Sequence, residues 1–433
     1  MSLLVERVSL ENSLNYILKE IVNIRIKNKS KEDFDTVYIL FKCAFKLVNI
    51  EFPNSDFKFK VNDPNIRIIF HRLIDELVIL AFYINYKETA LLVSDKMIFD
   101  ENCLLNKNQV ISNQRYYTTP LTIIKKGMFS LKLNGGLSPL NPCILKLDDG
   151  YLVNCRIVNY QINNDGIYTI NNPNGTIITE NITLKVDKDF NIVSECNIKD
   201  LTTIQRYSGR NIIGLEDLIL FIFKDSLWFT CTSLDTNPHG LPQINLCKLK
   251  YNIGLELPSD LDILKRCPIN LPNNRSEKNW LPFIHNGELL LIYEYHPFTI
   301  KKILGDIEGN LNTEDHLKEK YDLNLSRFKG SAAPIDFENG YLFMVHETFN
   351  LSQSLRCYLH RFMWMDEDLK LKKMSHPWYF THHGIEFCRS MCWSHTPDEI
   401  VLTYSIHDKD AQWCSVSIGY IRNLLHDLNY FNF

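Results

Sequence analysis

One stretch of the chain sets the pattern for the rest. It runs from Arg275 to Pro297 and has two short apolar runs, 280–284 and 289–293. Between them lies Asn286-Gly287, a pair typical of tight β-hairpin turns. Polar and aromatic residues stand at both open ends. The pattern therefore predicts a β-hairpin with functional groups at its open end.

Four further stretches repeat this unit less perfectly, at spacings of roughly fifty to seventy-five residues. Self-similar strand units at such spacings predict a propeller or another repeat array. We expect a mainly β fold, a five-bladed β-propeller, with one hairpin in each blade. The four further hairpins are 141–156, 216–233, 331–347 and 386–408.

Alternating residues between the hairpins predict more strands, and proline-rich spacers predict loops. The predicted strands are 166–170, 176–186, 244–249 and 358–365. We expect loops at 257–261 and 267–272. Residues 304–329 carry many charges, which predicts a surface loop with a short helix over Thr313–Lys320 that could form part of a lid.

The first part of the chain has a different period. Apolar residues recur at helical spacing, with Ser9 as a candidate N-cap for the first helix and Pro64 preceding the third. We expect a helical domain over 1–125, repeat-like or bundle-like and able to dock a protein partner, followed by the propeller over 126–433. The predicted helices are 9–26, 33–48, 65–86 and 88–98.

Composition excludes several classes of function. The net charge of −4 provides no basic surface for nucleic acid. The twelve cysteines are scattered without CxxC pairs, which indicates buried free thiols rather than a zinc site. We expect no metal, no cofactor and no membrane span. Without an N-terminal apolar signal core, we expect a cytoplasmic protein. The nucleotide-loop, zincin and serine-hydrolase motifs are missing from the sequence.

In a propeller, the innermost strands collect one polar group per blade at the mouth of the central channel. Carboxylates, histidines, arginines and aromatic rings in such a ring suit carbohydrate chemistry, which needs a carboxylic acid and flat walls for sugar faces. Converging carboxylates would also raise the pKa of one of them. Our catalytic candidates are Asp217 first, then Glu216 and Glu347. The substrate-binding candidates are Asn141, Arg156, Asn159, Glu277, Lys278, Asn279, Trp280, Tyr293, His346, Glu386, Arg389 and Asp408.

Several short motifs carry a family resemblance. Glu216-Asp217 resembles the Glu-Asp-Pro-Arg signature of the β-mannoside phosphorylase-like branch of five-bladed, glycan-active propellers, with Leu218 and Ile219 in place of Pro and Arg. The stretches 277–280, 330–334, 346–347, 358–361 and 385–387 resemble a propeller module associated with glycosyltransferases and tetratricopeptide-like helices. The resemblance implies a glycan or glycosyl donor as ligand, a sugar phosphate or sugar nucleotide, with phosphate as a further partner.

These observations favour inverting glycosyl transfer or glycoside phosphorolysis with a single carboxylic acid. The loss of the Pro-Arg half of the signature favours a rival, a non-catalytic glycan-binding or scaffold propeller. Hydrolysis would need two carboxylates facing each other. Each site residue also has a structural alternative: Glu277 and Lys278 could form an inter-blade salt bridge, and Trp280 could be core packing.

Overall fold

The computed structural model describes residues 2–27, 30–47, 63–103, 105–133, 136–163, 166–202, 212–270, 275–350 and 356–432. Within them the fold is mainly β, as the sequence predicts. No helix in these ranges combines the length and apolar character that a membrane crossing requires.

Helices occupy the first part of the chain. The third begins as predicted, because Pro64 occupies its first turn and the Asp63 carboxylate accepts hydrogen bonds from the backbone N–H groups of Asn65 and Ile66. The proposed Ser9 cap is wrong, since the first helix already begins at Ser2. The fifth helix has no counterpart in the sequence prediction. The helices are α1 (Ser2–Lys27), α2 (Lys31–Leu47), α3 (Pro64–Tyr83), α4 (Lys87–Phe99) and α5 (Lys107–Gln114).

The first strands build an antiparallel meander with a small insertion. The main strands pair in the order β3-β4-β7-β8, the hairpin β5-β6 projects between β4 and β7, and β9 runs parallel to β7. The bounds are β1 (Thr119–Pro120), β2 (Lys125–Met128), β3 (Ser138–Lys146), β4 (Tyr151–Val158), β5 (Tyr160–Ile162), β6 (Tyr168–Ile170), β7 (Ile177–Val186), β8 (Ile192–Lys199) and β9 (Ile212–Ile213).

Two four-stranded meanders follow, each antiparallel and in chain order. Their strands are β10 (Glu216–Phe223), β11 (Ser226–Ser233), β12 (Gln243–Leu249), β13 (Asp260–Pro268), β14 (Leu281–His285), β15 (Glu288–Tyr295), β16 (Phe298–Leu304) and β17 (Asn312–Glu319).

The fourth strand of each of these two meanders differs from the sequence prediction. The predicted helix over Thr313–Lys320 is the edge strand β17, and the predicted loop at 267–272 begins inside β13. β13 pairs with β12 and also, in parallel over its first three residues, with β8, whereas β17 is an edge strand. An edge strand has solvent along one side, so charged residues are tolerated there and mask the apolar alternation that identifies inner strands. In β17 the pairing with β16 decides the conformation, including the ion pair of Lys301 with Asp315.

The last strands form two more meanders. β2 pairs with β26, so a strand that precedes the first meander completes the last one. The elements are β18 (Lys329–Gly330), β19 (Ile335–Asp336), β20 (Gly340–Asn350), β21 (Arg356–Asp366), β22 (Leu371–Ser375), β23 (Trp378–Tyr379), β24 (Glu386–Trp393), β25 (Glu399–Ile406), β26 (Asp410–Ser417), α6 (Ile418–Leu424), β27 (Leu425–Asp427) and a 3-10 helix (Leu428–Phe431).

The hairpin turns follow the predicted chemistry. Asn286 and Gly287 have φ values of 50° and 77°, and Lys224 and Asp225 have 48° and 53°. Two consecutive left-handed residues match the right-handed twist of the flanking strands. The predicted hairpin around Asn286-Gly287 and the turn at 224–225 are thereby confirmed.

The first strands of successive meanders lie against one another. The Leu220 N–H donates to the Cys143 sulfur, and the Ser390 hydroxyl donates to the Ile144 carbonyl. The Ser331 hydroxyl likewise donates to the Cys388 carbonyl. These contacts bring β10 and β24 close to β3, and Ser331 close to β24. The polar residues at the same ends of these strands therefore converge.

Candidate functional site

The converging strand ends surround a polar cavity of about 760 Å³, which we call the main cavity. Its lining combines carboxylates, cations and aromatic rings drawn from every meander. The lining residues are Asn141, Arg156, Tyr160, Tyr168, Ile177, Ile212, Glu216, Asp217, Lys278, Asn279, Lys329, His346, Thr348, Arg356, Tyr358, Phe387 and Asp408.

Four of the lining residues adopt left-handed backbone conformations. The φ values are 46° for Asn141, 55° for Asp217, 64° for Asn279 and 51° for Asp408. The pairing register shifts beside Asn141 and Asp217, as it does at a β-bulge. Bulges and left-handed residues turn a side chain away from the regular alternation of the strand. Local backbone distortion therefore directs these amides and carboxylates into the cavity.

Arg156 is the centre of the polar network. Its guanidinium donates to Glu216 Oε1 at 2.8 Å and to Asp217 Oδ1 at 3.0 Å. Lys278 donates to Glu216 Oε2 at 2.8 Å, and Asn141 Nδ2 donates to Asp217 Oδ1 at 2.7 Å. Three different meanders are joined by these bonds. A salt bridge between meanders, which was one alternative for Lys278, is therefore present, with Glu216 as the partner.

The same network fixes the ionisation of Asp217. Burial alone would raise the pKa of this carboxyl, but the charges of Arg156, Arg389 and Lys278 outweigh burial and lower the pKa well below its ordinary range. Asp217 therefore stays ionised at neutral pH. An ionised carboxylate accepts hydrogen bonds from sugar hydroxyls but is a poor proton donor, which argues against the catalytic role that the sequence suggested first.

Asp408 has the opposite electrostatics. Burial raises the pKa of its carboxyl, the negative charge of Asp217 raises it further, and Arg156 opposes the rise. The Tyr160 hydroxyl donates to Asp408 Oδ2 at 3.2 Å. Two carboxylates near one cation thus have pKa values pushed in opposite directions, an arrangement that separates the roles of acid and anion. The sequence predicted that repulsion between converging carboxylates would raise the pKa of one of them. The raised pKa is that of Asp408, and that of Asp217 is lowered.

His346 is a neutral group in the cavity wall. Burial lowers the pKa of its imidazole well below the ordinary value, and His360, Lys329 and Arg389 lower it further. Its ring is buried, and Nδ1 has no hydrogen-bond partner in the described part of the chain.

Aromatic rings form one wall of the main cavity. Tyr160 and Tyr168, from the small hairpin β5-β6, have ring centroids 5.1 Å apart. Phe387 packs edge-on against His346 at 5.1 Å, and Tyr358 completes the wall. Flat aromatic faces of this kind suit the apolar faces of sugar rings.

Several lining residues are absent from the predicted set. Tyr358 and Phe387 lie inside the motifs 358–361 and 385–387, where the charged residues were the more obvious candidates for a functional role. Lys329 directly precedes the 330–334 motif and Arg356 begins β21, so each is adjacent to a signal. Tyr168 lies in the strand predicted at 166–170, but nothing in the local sequence indicates that Tyr160 or Tyr168 belongs to the site, because the insertion that carries them reaches the cavity only through the fold.

Three predicted carboxylates lie outside the main cavity. Glu347 accepts from the buried guanidinium of Arg361 at 2.7 Å. Glu386 accepts backbone N–H bonds from Phe380, Thr381 and His382 and so stabilises a turn. Glu277 binds Arg275 and the Trp280 indole N–H. All three are engaged in structural contacts.

The remaining predicted residues are also engaged by the protein. Trp280 is 1% exposed in an apolar cluster. Asn159 bonds the backbone at Thr176 and Ile178. Arg389 lies behind the cavity lining and donates to the Asp217 carbonyl at 2.6 Å, where it supports the left-handed turn. Tyr293 lines a smaller cavity of about 210 Å³, the side cavity, which shares Lys278, Asn279 and Lys329 with the main one.

No cluster of three or more histidine, cysteine, aspartate or glutamate side chains is placed to hold a metal ion within the ranges that the structure describes. The twelve cysteines are free thiols, eleven of them buried, as the sequence predicts.

Comparisons with known proteins give structural neighbours only. No family model and no curated protein matches the sequence. A β-1,2-mannobiose phosphorylase from Listeria innocua aligns with a TM-score of 0.43 and 13% identity, over 68% of this chain and 94% of that one. A GDP-Man-dependent mannosyltransferase from Leishmania mexicana aligns with a TM-score of 0.43 and 10% identity, over 72% and 95%.

A thermostable family-43 glycoside hydrolase aligns with a TM-score of 0.40 and 12% identity, over 69% of this chain and 96% of that one. At these identities and TM-scores, the neighbours assign no activity to this chain. Its function has to be argued from its own side chains.

Proposed function

We propose that the five meanders are the blades of a five-bladed β-propeller over residues 126–433, with the main cavity on its axis and a helical domain over 1–125 before it. The pairing of β2 with β26 supports a closed ring, because it ties the chain entering the first blade to the last one. The convergence of Asn141, Asp217, Asn279 and Asp408 on one cavity supports a common axis.

The main cavity, we infer, binds a glycan or glycosyl donor and carries out glycosyl transfer or phosphorolysis with inversion. The observation that carries this proposal is the pairing of one carboxyl with a raised pKa, Asp408, and one with a lowered pKa, Asp217, in the same polar cavity. Inverting phosphorolysis needs one protein acid and no protein nucleophile, because phosphate itself attacks the sugar. In transfer from a phosphorylated donor, the same carboxyl would instead be the base that accepts the proton of the acceptor hydroxyl. We assign Asp408 as the acid. Asp217 and Glu216 bind Arg156 and accept hydrogen bonds from sugar hydroxyls.

Two cations at the mouth suit a phosphorylated substrate. Lys329 and Arg356 are both exposed and line the main cavity. Unlike Arg156 and Lys278, neither forms an ion pair with a carboxylate in the described ranges. Guanidinium and ammonium groups bind phosphate oxygens strongly. A sugar phosphate or sugar nucleotide would place its phosphate here and its sugar against the aromatic wall.

A direct test is incubation of the full chain with α-mannosyl or α-glucosyl phosphate plus sugar acceptors, and separately with GDP-mannose or UDP-glucose. We expect release of phosphate or nucleotide from one donor class, and loss of that release in Asp408→Asn. Asparagine keeps the shape of the side chain and tolerates the left-handed backbone, so folding is preserved. No turnover with any donor, together with undiminished glycan binding by Asp217→Asn, would overturn the enzyme proposal.

A non-catalytic glycan-binding propeller is the second candidate, and one observation favours it. Leu218 and Ile219 replace the Pro-Arg half of the signature that the resemblance implies, and both are buried in β10. An arginine contact to phosphate expected there is thus missing. Measurable glycan binding that Asp217→Asn abolishes, without turnover of any donor, would favour this candidate.

A further inference from the structure

The turn that carries Asp408 into the main cavity is a two-residue hairpin turn without glycine. It joins β25 to β26 through His407 and Asp408, with φ values of 52° and 51°. This is the geometry of a two-residue hairpin turn, and the Lys409 backbone N–H closes it on the Ile406 carbonyl at 3.1 Å. Left-handed residues other than glycine make such a turn less favourable than one with glycine, so side-chain contacts at His407 add to its stability.

A histidine pair supplies those contacts. His407 Nε2 lies 2.9 Å from His382 Nε2, and His382 Nδ1 lies 3.2 Å from Glu386 Oε1. The Glu386 carboxylate is itself fixed by three backbone N–H donors. The backbone N–H of His407 donates to the Ile385 carbonyl at 2.8 Å. A chain of contacts therefore runs from a rigid buried carboxylate to the residue beside Asp408.

Gly384 leaves space for this pair. A Cβ added at Gly384 would lie 3.1 Å from the His382 ring and 3.5 Å from the His407 ring. The Gly384 carbonyl also accepts from the backbone N–H of Tyr358, a wall residue of the main cavity. The segment 380–386 thus connects the histidine pair to two parts of the cavity lining, Tyr358 and Asp408.

We propose that His382 and His407 form a positioning pair that holds Asp408 in the main cavity, and that protonation of both rings releases the Asp408 turn at acid pH. This inference rests on the proposed function insofar as Asp408 contacts the ligand. The pair acts through Asp408 and does not itself line the cavity.

The number of protons on the two rings determines whether His382 and His407 attract or repel each other. A hydrogen bond between two Nε2 atoms needs one N–H and one lone pair, so the pair is stable with neither ring or one ring charged. With both rings protonated, two N–H groups face each other and the bond is lost. The contact then changes from attraction to repulsion between two positive charges.

The neighbouring charges decide which ring is protonated first. The hydrogen bond to Glu386 raises the pKa of His382, while burial and the charge of His382 lower the pKa of His407. Lys409 opposes protonation of His407, and Asp410 and Glu386 favour it. His383, with Arg115 beside it, faces His382 as well. The pair therefore stays intact above the pKa of His407, which lies below 6.5, and breaks as the pH falls through it.

His407→Asn tests the inference, because asparagine tolerates the left-handed turn but does not titrate, so two positive charges can no longer face each other in acid. In the wild type we expect ligand affinity or turnover to fall on the order of tenfold per pH unit below the pKa of His407. In His407→Asn this acid limb should move to lower pH. An identical acid limb in both proteins would overturn the inference.

A ligand-free readout separates this inference from the proposed function. Hydrogen–deuterium exchange of the 404–412 segment, corrected for the intrinsic pH dependence, should show protection lost in acid by the wild type and kept by His407→Asn. Gly384→Ala should lose protection already at neutral pH, although it changes no titratable group. If exchange responds in this way while every sugar donor stays inert, the proposed function fails and the histidine pair stands. Equal loss of protection in wild type and His407→Asn contradicts the pair.

Discussion

Arg361 in β21 and Asp95 in α4 form a fully buried ion pair, with Nη2 2.5 Å from Oδ1. Glu347 Oε1 accepts from the same guanidinium, and His376 Nδ1 lies 2.5 Å from Asp95 Oδ2. The helical segment and the sheets are therefore joined by charge as well as by apolar contacts such as Phe99 with Phe328. This contact accounts for Glu347, a predicted catalytic carboxylate, as a partner of Arg361.

Removal of one partner should be strongly destabilising. In Asp95→Ala the Arg361 guanidinium keeps only Glu347 as a charged partner, and breaking a buried ion pair costs about 3–5 kcal/mol. The matched control is Asp315→Ala, which removes the more exposed ion pair with Lys301 and should cost at most about 1 kcal/mol. Urea unfolding followed by circular dichroism measures both; equal losses would contradict the assignment.

Asp95 should also make stability depend on pH. Burial would raise the pKa of this carboxyl, but Arg361 and His376 outweigh burial and lower it below 3.8. A carboxyl with a depressed pKa in the folded state contributes stability above its unfolded pKa and loses it as the pH falls toward the folded value. Melting temperatures below pH 4 should therefore fall more steeply in the wild type than in Asp95→Asn. Parallel curves would show that Asp95 does not titrate in this way.

Asp408→Asn and Asp217→Asn should differ in kinetics. Loss of a general acid lowers turnover by about 10²–10⁴-fold, so Asp408→Asn should affect kcat. Asp217→Asn leaves a neutral acceptor beside Arg156 and should mainly weaken binding. In the phosphorolysis direction, wild-type activity should fall as the pH rises through the pKa of Asp408, because the acid must be protonated to give its proton to the glycosidic oxygen. In the reverse direction, from sugar phosphate and acceptor, the same carboxylate accepts the proton of the acceptor hydroxyl and must be ionised, so activity should fall as the pH drops through that pKa. A larger kcat effect at Asp217 would return the acid role to that residue.

Lys329 and Arg356 should control the affinity for phosphorylated ligands. Hydrogen bonds between charged groups contribute about 1.5–3 kcal/mol, so Lys329→Ala or Arg356→Ala should weaken binding of a sugar phosphate roughly ten- to a hundredfold. Binding of the corresponding neutral sugar should change little. Isothermal titration calorimetry provides both values, with the exposed Lys188→Ala as a control. Equal weakening for neutral and phosphorylated sugars would argue against a phosphate contact.

Trp280 should act through packing. Its ring is 1% exposed, and its indole N–H donates to Glu277 Oε2 at 3.0 Å. Trp280→Ala should cost about 3–5 kcal/mol of folding stability, while the milder Trp280→Phe should leave ligand affinity near the wild-type value. Thermal unfolding and calorimetry test the two effects separately. A large affinity loss in a stable Trp280→Phe protein would restore its role as a sugar platform.

Local sequence was sufficient for much of the architecture. The Asn286-Gly287 turn and the apolar alternation around it define a hairpin, because both depend on residues a few positions apart. The helical period before residue 100 and the Pro64 start follow for the same reason. Local sequence did not predict the edge strand β17, because its charged residues conceal its alternation and only pairing with β16 fixes its conformation.

The chemistry of the candidate site was decided by tertiary structure. The sequence identified Asp217 and Asp408 as polar residues at strand ends, but their pKa values depend on Arg156, Arg389 and burial, which come from distant parts of the chain. The aromatic wall depends in part on the β5-β6 insertion; local alternation predicted its second strand, but not that its tyrosines reach the cavity. Glu347 and Glu386 look like functional carboxylates until the fold supplies Arg361 and the 380–382 backbone. Hydrophobic period and turn residues are local properties, whereas the electric field and the shape of a cavity are sums over the whole molecule.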